Sequence, residues 1–313
     1  MQIVPPLMFH PFAREANRKR EAMNIQWYPG HMTKARRAMT EDLKLVTLVI
    51  EIADARLPLG SRNPDIDKMA ANKDRLILLN KADLADEQLV KQWIEWYGKR
   101  GIRAVPLDSR VTKDVRRMRA VIMDVSKERI ERNRRRGILN KPIRAMVAGI
   151  PNVGKSTFIN SIAGKTAAKT GNKPGVTRSD QWIRLDKTLE LLDTPGILWP
   201  KFDDNLVSRN LAFLGAISDD VLPQAELVLE LIEYMRRAYP DTFRAWLKTE
   251  LTEEMDAPSL LTEEARARGC LKAGAELDYD RAAALFLTDF RAGRMGHVTL
   301  EIPPEESIWH CEN

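Results

Sequence analysis

The segment Gly149-Ile150-Pro151-Asn152-Val153-Gly154-Lys155-Ser156-Thr157 constrains this chain more than any other. It follows the apolar run Ile143–Ala148 and precedes the helix-like stretch Lys155–Ala163. That order of strand, loop and helix is the context a phosphate-cradling loop requires. Gly149 and Gly154 permit a tight backbone path whose N–H groups face the phosphates, and the helix N-terminus adds favourable dipole charge. Lys155 is placed to reach the β- and γ-phosphates, and Ser156 to put its hydroxyl on Mg²⁺. The chain must therefore build a parallel strand beside this loop and bring its other nucleotide contacts to the same rim.

Those contacts are found on both sides of the loop. Asn80-Lys81-Ala82-Asp83 ends an earlier apolar run, and Asp193-Thr194-Pro195-Gly196 ends a later one. The Asp83 carboxylate can accept from guanine N1–H and the exocyclic amine together, a donor pair that adenine lacks on that edge. Asn80 is expected to brace the phosphate and base loops, and the Lys81 stem to cover one face of the ring. Asp108-Ser109 fits the weaker motif whose backbone N–H meets the guanine oxygen, and it equally fits an ordinary turn. Lys173-Pro174-Gly175-Val176-Thr177 reads either as a switch loop with Thr177 on Mg²⁺ or as a Gly/Pro turn; its position favours the switch. Asp193 should hold Mg²⁺ through water, with the Gly196 N–H on the γ-phosphate. In Ras-like proteins the phosphate loop comes first and the base-reading motif late. Here the order is reversed, which is a circular permutation. Ile197 stands where such proteins carry the glutamine that orients the attacking water, a task an apolar side chain cannot perform.

Apolar, β-rich runs occupy Leu45–Ala53, Leu76–Leu79, Ala104–Leu107, Ile143–Ala148, Trp182–Leu185 and Leu189–Leu192. Helix-periodic stretches at Glu87–Lys99, Val111–Arg136 and Lys155–Ala163 alternate with them. The expected fold class is α/β: a circularly permuted P-loop GTPase domain with a mostly parallel, doubly wound sheet. Ligands of such sheets bind at the carboxyl ends of the strands, where Asp54, Asn80, Asp108 and Gly149 all fall. After about Trp199 the pattern becomes helical, with stretches at Leu206–Ile217, Gln224–Ala238, Thr242–Leu251, Thr262–Ala267 and Asp280–Arg291. The expected division is an N-terminal extension at 1–22, a GTPase domain at 23–204 and a small all-α C-terminal domain at 205–313.

Charge is unevenly spread. The overall balance is +6, but residues 219–313 hold ten basic and twenty acidic side chains, leaving forty against twenty-four before them. A basic excess of that size favours a polyanion near the N-terminal two thirds, with nucleic acid as the expected one, although a solvated surface is the blander reading. The run Arg129, Arg132, Arg134, Arg135, Arg136 sharpens the same choice between RNA contact and a solvated helix face. No stretch of eighteen apolar residues suggests a membrane span. Cys270 and Cys311 form no metal-spaced set, and residues 1–23 lack the apolar segment of a secretion signal. The expected location is cytoplasmic.

Together these motifs resemble the circularly permuted GTPases that carry a hydrophobic residue in place of the catalytic glutamine, and within them the ribosome biogenesis GTPase A (YlqF-type) group. Ile25-Gln26-Trp27-Tyr28-Pro29-Gly30-His31-Met32-Thr33-Lys34-Ala35 and Asp54-Ala55-Arg56-Leu57-Pro58-Leu59-Gly60-Ser61-Arg62-Asn63-Pro64 look like that group's signatures. The resemblance covers residues 23–199 specifically and the helical part in layout only. It implies GTP hydrolysis promoted by a pre-ribosomal particle, late maturation of the large (50S) subunit, and a start near Met23. It also implies His31 as the catalytic group; read without the family, a histidine in such a turn is more often structural. Asn152 matches the asparagine with which related GTPases help bind K⁺. The alternative function is a GTPase switch acting on another RNA or protein partner, for example in tRNA modification; a third is a nucleotide-dependent scaffold without turnover.

Overall fold

The computed structural model describes residues 31–139, 141–164, 181–196, 205–250, 252 and 255–304, and the backbone alone at 31–36, 205 and 221. Helix α1 (His31–Leu45) leads into β1 (Leu48–Asp54), then α2 (Pro64–Met69), β2 (Asp74–Asn80) and α3 (Glu87–Lys99). β3 (Arg103–Leu107), α4 (Thr112–Val125), α5 (Lys127–Arg135), β4 (Ile143–Ala148), α6 (Lys155–Ala163), β5 (Gln181–Arg184) and β6 (Leu189–Asp193) follow. Among the described residues one sheet forms, in the order β3-β2-β1-β4-β6-β5, with β5 antiparallel at the edge and every other pairing parallel.

The period-two alternation of each strand divides the core. Leu48, Ile50 and Ile52 of β1, Leu76 and Leu78 of β2, and Ala145 and Val147 of β4 enter one apolar cluster, under Val115, Met118 and Ile122 of α4 and Phe158 and Ile159 of α6. The intervening residues face the other way. Val49, Met146 and Leu192 pack with Met39 and Leu43 of α1. Ala53, Ile77 and Leu79 pack with Val90, Trp93 and Tyr97 of α3. Helices therefore cover both faces, as parallel strands require.

The C-terminal part is helical: α7 (Asn205–Phe213), α8 (Gln224–Ala238), α9 (Pro240–Trp246), α10 (Ala257–Ala267) and α11 (Tyr279–Arg291). Leu231, Phe243, Leu260 and Phe286 belong to the same buried cluster as the sheet face under α4.

Several expected boundaries shift; the helix expected at Thr262–Ala267, for one, begins at Ala257, capped by the Asp256 side chain. Leu45 ends α1 rather than opening β1, because the amphipathic face of α1 runs to Leu43 and buries it against the sheet. The stretch Val111–Arg136 is two helices, broken at Ser126 (φ −92°, ψ 5°), where the chain turns and α5 buries none of its residues. The helix expected to reach Ile217 stops at Phe213, since Gly215 is left-handed (φ 71°) and Arg291 donates to the Ala212 and Phe213 carbonyls. The helix expected at Thr242–Leu251 runs Pro240–Trp246; beyond it the buried Glu264 carboxylate takes the N–H groups of Lys248 and Thr249.

Candidate nucleotide site

The loop after β4 is shaped by close backbone approaches. A Cβ at Gly149 would lie 2.5 Å from the Ile52 carbonyl oxygen of the adjacent strand, so only glycine fits there. Asn152 is left-handed (φ 62°), and Gly154 (φ 97°) caps α6, where a Cβ would come within 2.3 Å of Asn80 Nδ2. The Lys155 ammonium lies buried across its own loop, donating to the carbonyls of Gly149 and Ile150 at 3.0 Å each. Gly196, ending Asp193-Thr194-Pro195-Gly196, sits against this loop: a Cβ on it would be 2.9 Å from Lys155 Nζ and 3.0 Å from Pro151 N. Phosphate loop and the segment after β6 are thus one surface.

Asn80 joins the base loop to it. Its Nδ2 donates to the Val153 carbonyl at 2.6 Å, and its Oδ1 accepts from Ser109 N at 3.0 Å. The expected bracing role of Asn80 is visible in this geometry. Ser109 is buried, and its carbonyl accepts from Ser161 Oγ of α6 at 2.7 Å. Asp108 forms a turn around Arg110 N, and Ser109 fastens that turn to the base loop through Asn80. Asp83 lies in the short helical turn Ala82–Leu84. Its Oδ2 accepts from Arg110 Nη2, and the same guanidinium holds both Asp108 oxygens.

Beneath this sits a charge network that sequence reading missed. The buried Asp54 carboxylate accepts from Arg56 Nε and Nη2 and from Lys81 Nζ, each at 2.9 Å. Burial pushes the Asp54 carboxyl up, but the Arg56 and Lys81 charges hold it well below the usual range. Arg56 Nη1 also donates to the carbonyls of Phe290 and Arg291 at the end of α11. Leu59 N and Gly60 N both donate to the Glu301 carboxylate, and Leu300 N donates to the Arg56 carbonyl at 2.7 Å. The sequence marks Asp54 as a strand-end acid and Asp54–Pro64 as a segment resembling the family's signature, but nothing in it pairs Asp54 and Arg56 with Lys81 or with α11.

A second strut runs from the phosphate loop. Asn152 Nδ2 donates to the Gly215 carbonyl at 2.6 Å, just beyond α7. Of the other sequence-predicted residues, Ala82, Val153, Ser156 and Thr157 lie on these loops or at the start of the helix that follows. His31 begins α1 on the backbone alone. Thr177 and Ile197 fall outside the described residues.

Burial lowers the Lys155 pKa to about 8, against the pull of Asp193. A charge disfavoured by burial is restored when anionic phosphates arrive. The sign follows: above pH ~8 the free loop has released a proton that the complex retains, so binding takes up a proton and weakens as pH rises. Calorimetry of GTP binding at pH ~8.5, in buffers of different ionisation enthalpy, should show net proton uptake; none at all would contradict the buried position of Lys155. The donor set suits a hard divalent cation: the Ser156 hydroxyl at the start of α6 and the buried Asp193 carboxylate, whose charge is felt at Lys155, are oxygen ligands.

Residues 144–262 match the family model described as a 50S ribosome-binding GTPase. The ribosome biogenesis GTPase A of Bacillus cereus is 45% identical over 283 residues, covering 90% of this chain and 95% of that protein. The chain belongs to the ribosome biogenesis GTPase A family. Two solved structures have the same fold at 28% identity: GDP-bound TM YlqF (TM-score 0.64, covering 86% of this chain and all of that one) and GNP-bound YlqF from T. maritima (TM-score 0.62, 87% and 99%). As a member of this family the chain is a GTPase, and its nucleotide domain is the permuted one that the motif order requires. No described helix is long and apolar enough to cross a membrane.

Proposed function

We propose that this GTPase assists late assembly of the large (50S) ribosomal subunit, in the cytoplasm, as a timed binder whose GTP is hydrolysed on the maturing particle. The reading rests on one observation above the others: both nucleotide loops are tied to the C-terminal helices. Asn152 reaches Gly215, and Lys81 reaches α11 through Asp54 and Arg56. A phosphate or base that shifts Asn152 or Lys81 therefore acts on the helical part directly, which is what a nucleotide-timed binder needs. The match to a 50S ribosome-binding GTPase model and the names of the relatives supply the class of partner.

In this reading residues 23–204 are the GTPase domain, 205–313 the helical domain and 1–22 an extension. Asn80, Lys81, Ala82 and Asp83, with Asp108 and Ser109, take the guanine; Asn152 through Thr157 and Gly196 take the phosphates. Mg²⁺ would be held by Ser156 and Thr177, with Asp193 through water, and would neutralise charge on the phosphates. K⁺ would be met by the Asn152 side-chain oxygen. Because Ile197 cannot orient water, His31 is assigned that task once the particle positions α1.

The experiment compares GTP turnover with and without large-subunit precursors. The wild-type rate should rise strongly on addition of particles, and His31→Ala should lose about 10²-fold of that stimulated rate with GTP affinity nearly unchanged. Retention of the stimulated rate would return His31 to a structural role. No stimulation of the wild type by particles would point instead to a switch serving another RNA or protein.

A further inference from the structure

We propose that the C-terminal turn of α5 and the residues just after it bind the phosphate backbone of double-helical RNA, on the side of the sheet away from the nucleotide. Arg132, Arg134, Arg135 and Arg136 are all exposed, and none forms an ion pair with a described residue. Elsewhere in the same domain the exposed arginines without a described carboxylate, Arg37, Arg103, Arg116, Arg117 and Arg184, are spread over α1, β3, α4 and β5, and the other exposed ones are paired. Arg75, Arg110, Arg119, Arg129 and Arg144 each meet a carboxylate, on Glu51, Asp83, Asp186, Asp74 and Glu190 respectively. The sequence pairs several arginines around the sheet, leaves others singly exposed, and gathers four guanidinium groups without a described carboxylate partner in one place.

Topology fixes where that place is. α5 and the short segment after it precede the start of β4, and the phosphate loop leaves the other end of that strand. The arginines therefore lie at the edge formed by the strand starts, where Arg103 opens β3 and where Lys141 and Lys187 are also exposed. A polyanion seated there leaves the nucleotide rim open.

The helix dipole favours basic residues in a last turn, and that alone accounts for some of the charge. It does not account for the neighbours. Ile138 is 44% and Leu139 73% exposed, immediately after the arginines. Basic side chains flanking two exposed apolar ones suit the wide, shallow minor groove of A-form RNA, where riboses lie between rows of phosphates. A lipid surface also attracts basic and apolar groups together. It needs a long apolar helical face, however, and α5 offers only the half-buried Ile130 besides polar residues. The proposal takes its class of partner from the RNA-facing reading above, but not the identity of the particle.

The test uses the full chain and a generic duplex RNA, with affinity measured across a series of KCl concentrations. Replacing Arg132, Arg134, Arg135 and Arg136 by Ala should weaken binding at least about tenfold. It should also flatten the slope of log affinity against log salt by about three to four, near one for each phosphate no longer neutralised. GTP affinity should not change. The matching fourfold Lys variant should keep most of the slope, because a phosphate is satisfied by a point charge. Should the Ala variant lose GTP binding, Arg135→Glu alone decides, and it should reduce duplex affinity several-fold. Unchanged affinity and slope in a variant that still binds GTP would overturn the proposal. So would loss of binding to phosphatidylserine vesicles with RNA binding intact. Duplex binding that follows these arginines, in a protein that fails to join ribosomal particles, would leave this RNA site standing and sink the assembly role instead.

Discussion

Asp83→Asn should cut GTP affinity by about 10²–10⁴-fold and make the protein prefer xanthine nucleotides. The charge-assisted hydrogen bond to the exocyclic amine is lost and the one to N1–H becomes neutral, where charge-assisted bonds are worth about 1.5–3 kcal/mol each. The amide Nδ2 then faces the exocyclic amine, donor against donor. Xanthine carries an oxygen at that position, so the same amide pairs with it while its own oxygen still takes N1–H. Competition binding with GTP, XTP and ATP measures the effect. Equal affinity of the unmodified protein for ATP and GTP would sink the assignment of Asp83. Arg110 bears on the same site: its guanidinium holds the Asp83 carboxylate beside Asp108, so guanine must share or displace that donor.

Lys155→Ala should abolish productive GTP binding, with a loss of at least about 10²-fold, because the buried loop loses the point charge that faces the triphosphate. The fold should survive. Burial lowers the Lys155 pKa, so the folded chain bears the charged form at a cost at neutral pH, and its removal relieves that cost. Nucleotide binding followed by fluorescence, with the melting transition as control, separates the two. A variant that melts as the wild type does and binds GTP as tightly would mean that the loop has been misread.

Much of this site is legible in the sequence because its determinants are short-range. Gly149 and Gly154 are demanded by backbone approaches that the loop imposes, and Lys155 follows from the strand–loop–helix order. The convergence of Asn80, Ser109 and Val153 follows from placing strand ends on one rim, and two hydrogen bonds realise it. What escapes is long-range. Arg56 meets α11 across more than two hundred residues, and Glu301 catches Leu59 and Gly60 from the far end of the described chain. Neither pair leaves a periodicity or a spacing to read. The break at Ser126 escapes for a different reason: helix periodicity continues through it, and a single ψ near 5° has no residue signature. α1 is hidden because its first residues read as a motif, which masks the apolar face at Met39 and Leu43.

Nucleotide state, relayed through Asn152 and the Lys81–Asp54–Arg56 network, is expected to decide whether the protein stays on a maturing large subunit. Sedimentation of the full chain with large-subunit precursors, loaded with a non-hydrolysable GTP analogue or with GDP, measures this most directly. The protein should co-sediment with the analogue and be released with GDP. Arg56→Ala, which cuts the link to α11 while leaving the base loop's own residues in place, should narrow the difference between the two states. Equal co-sedimentation in both nucleotide states, or none in either, would contradict the account.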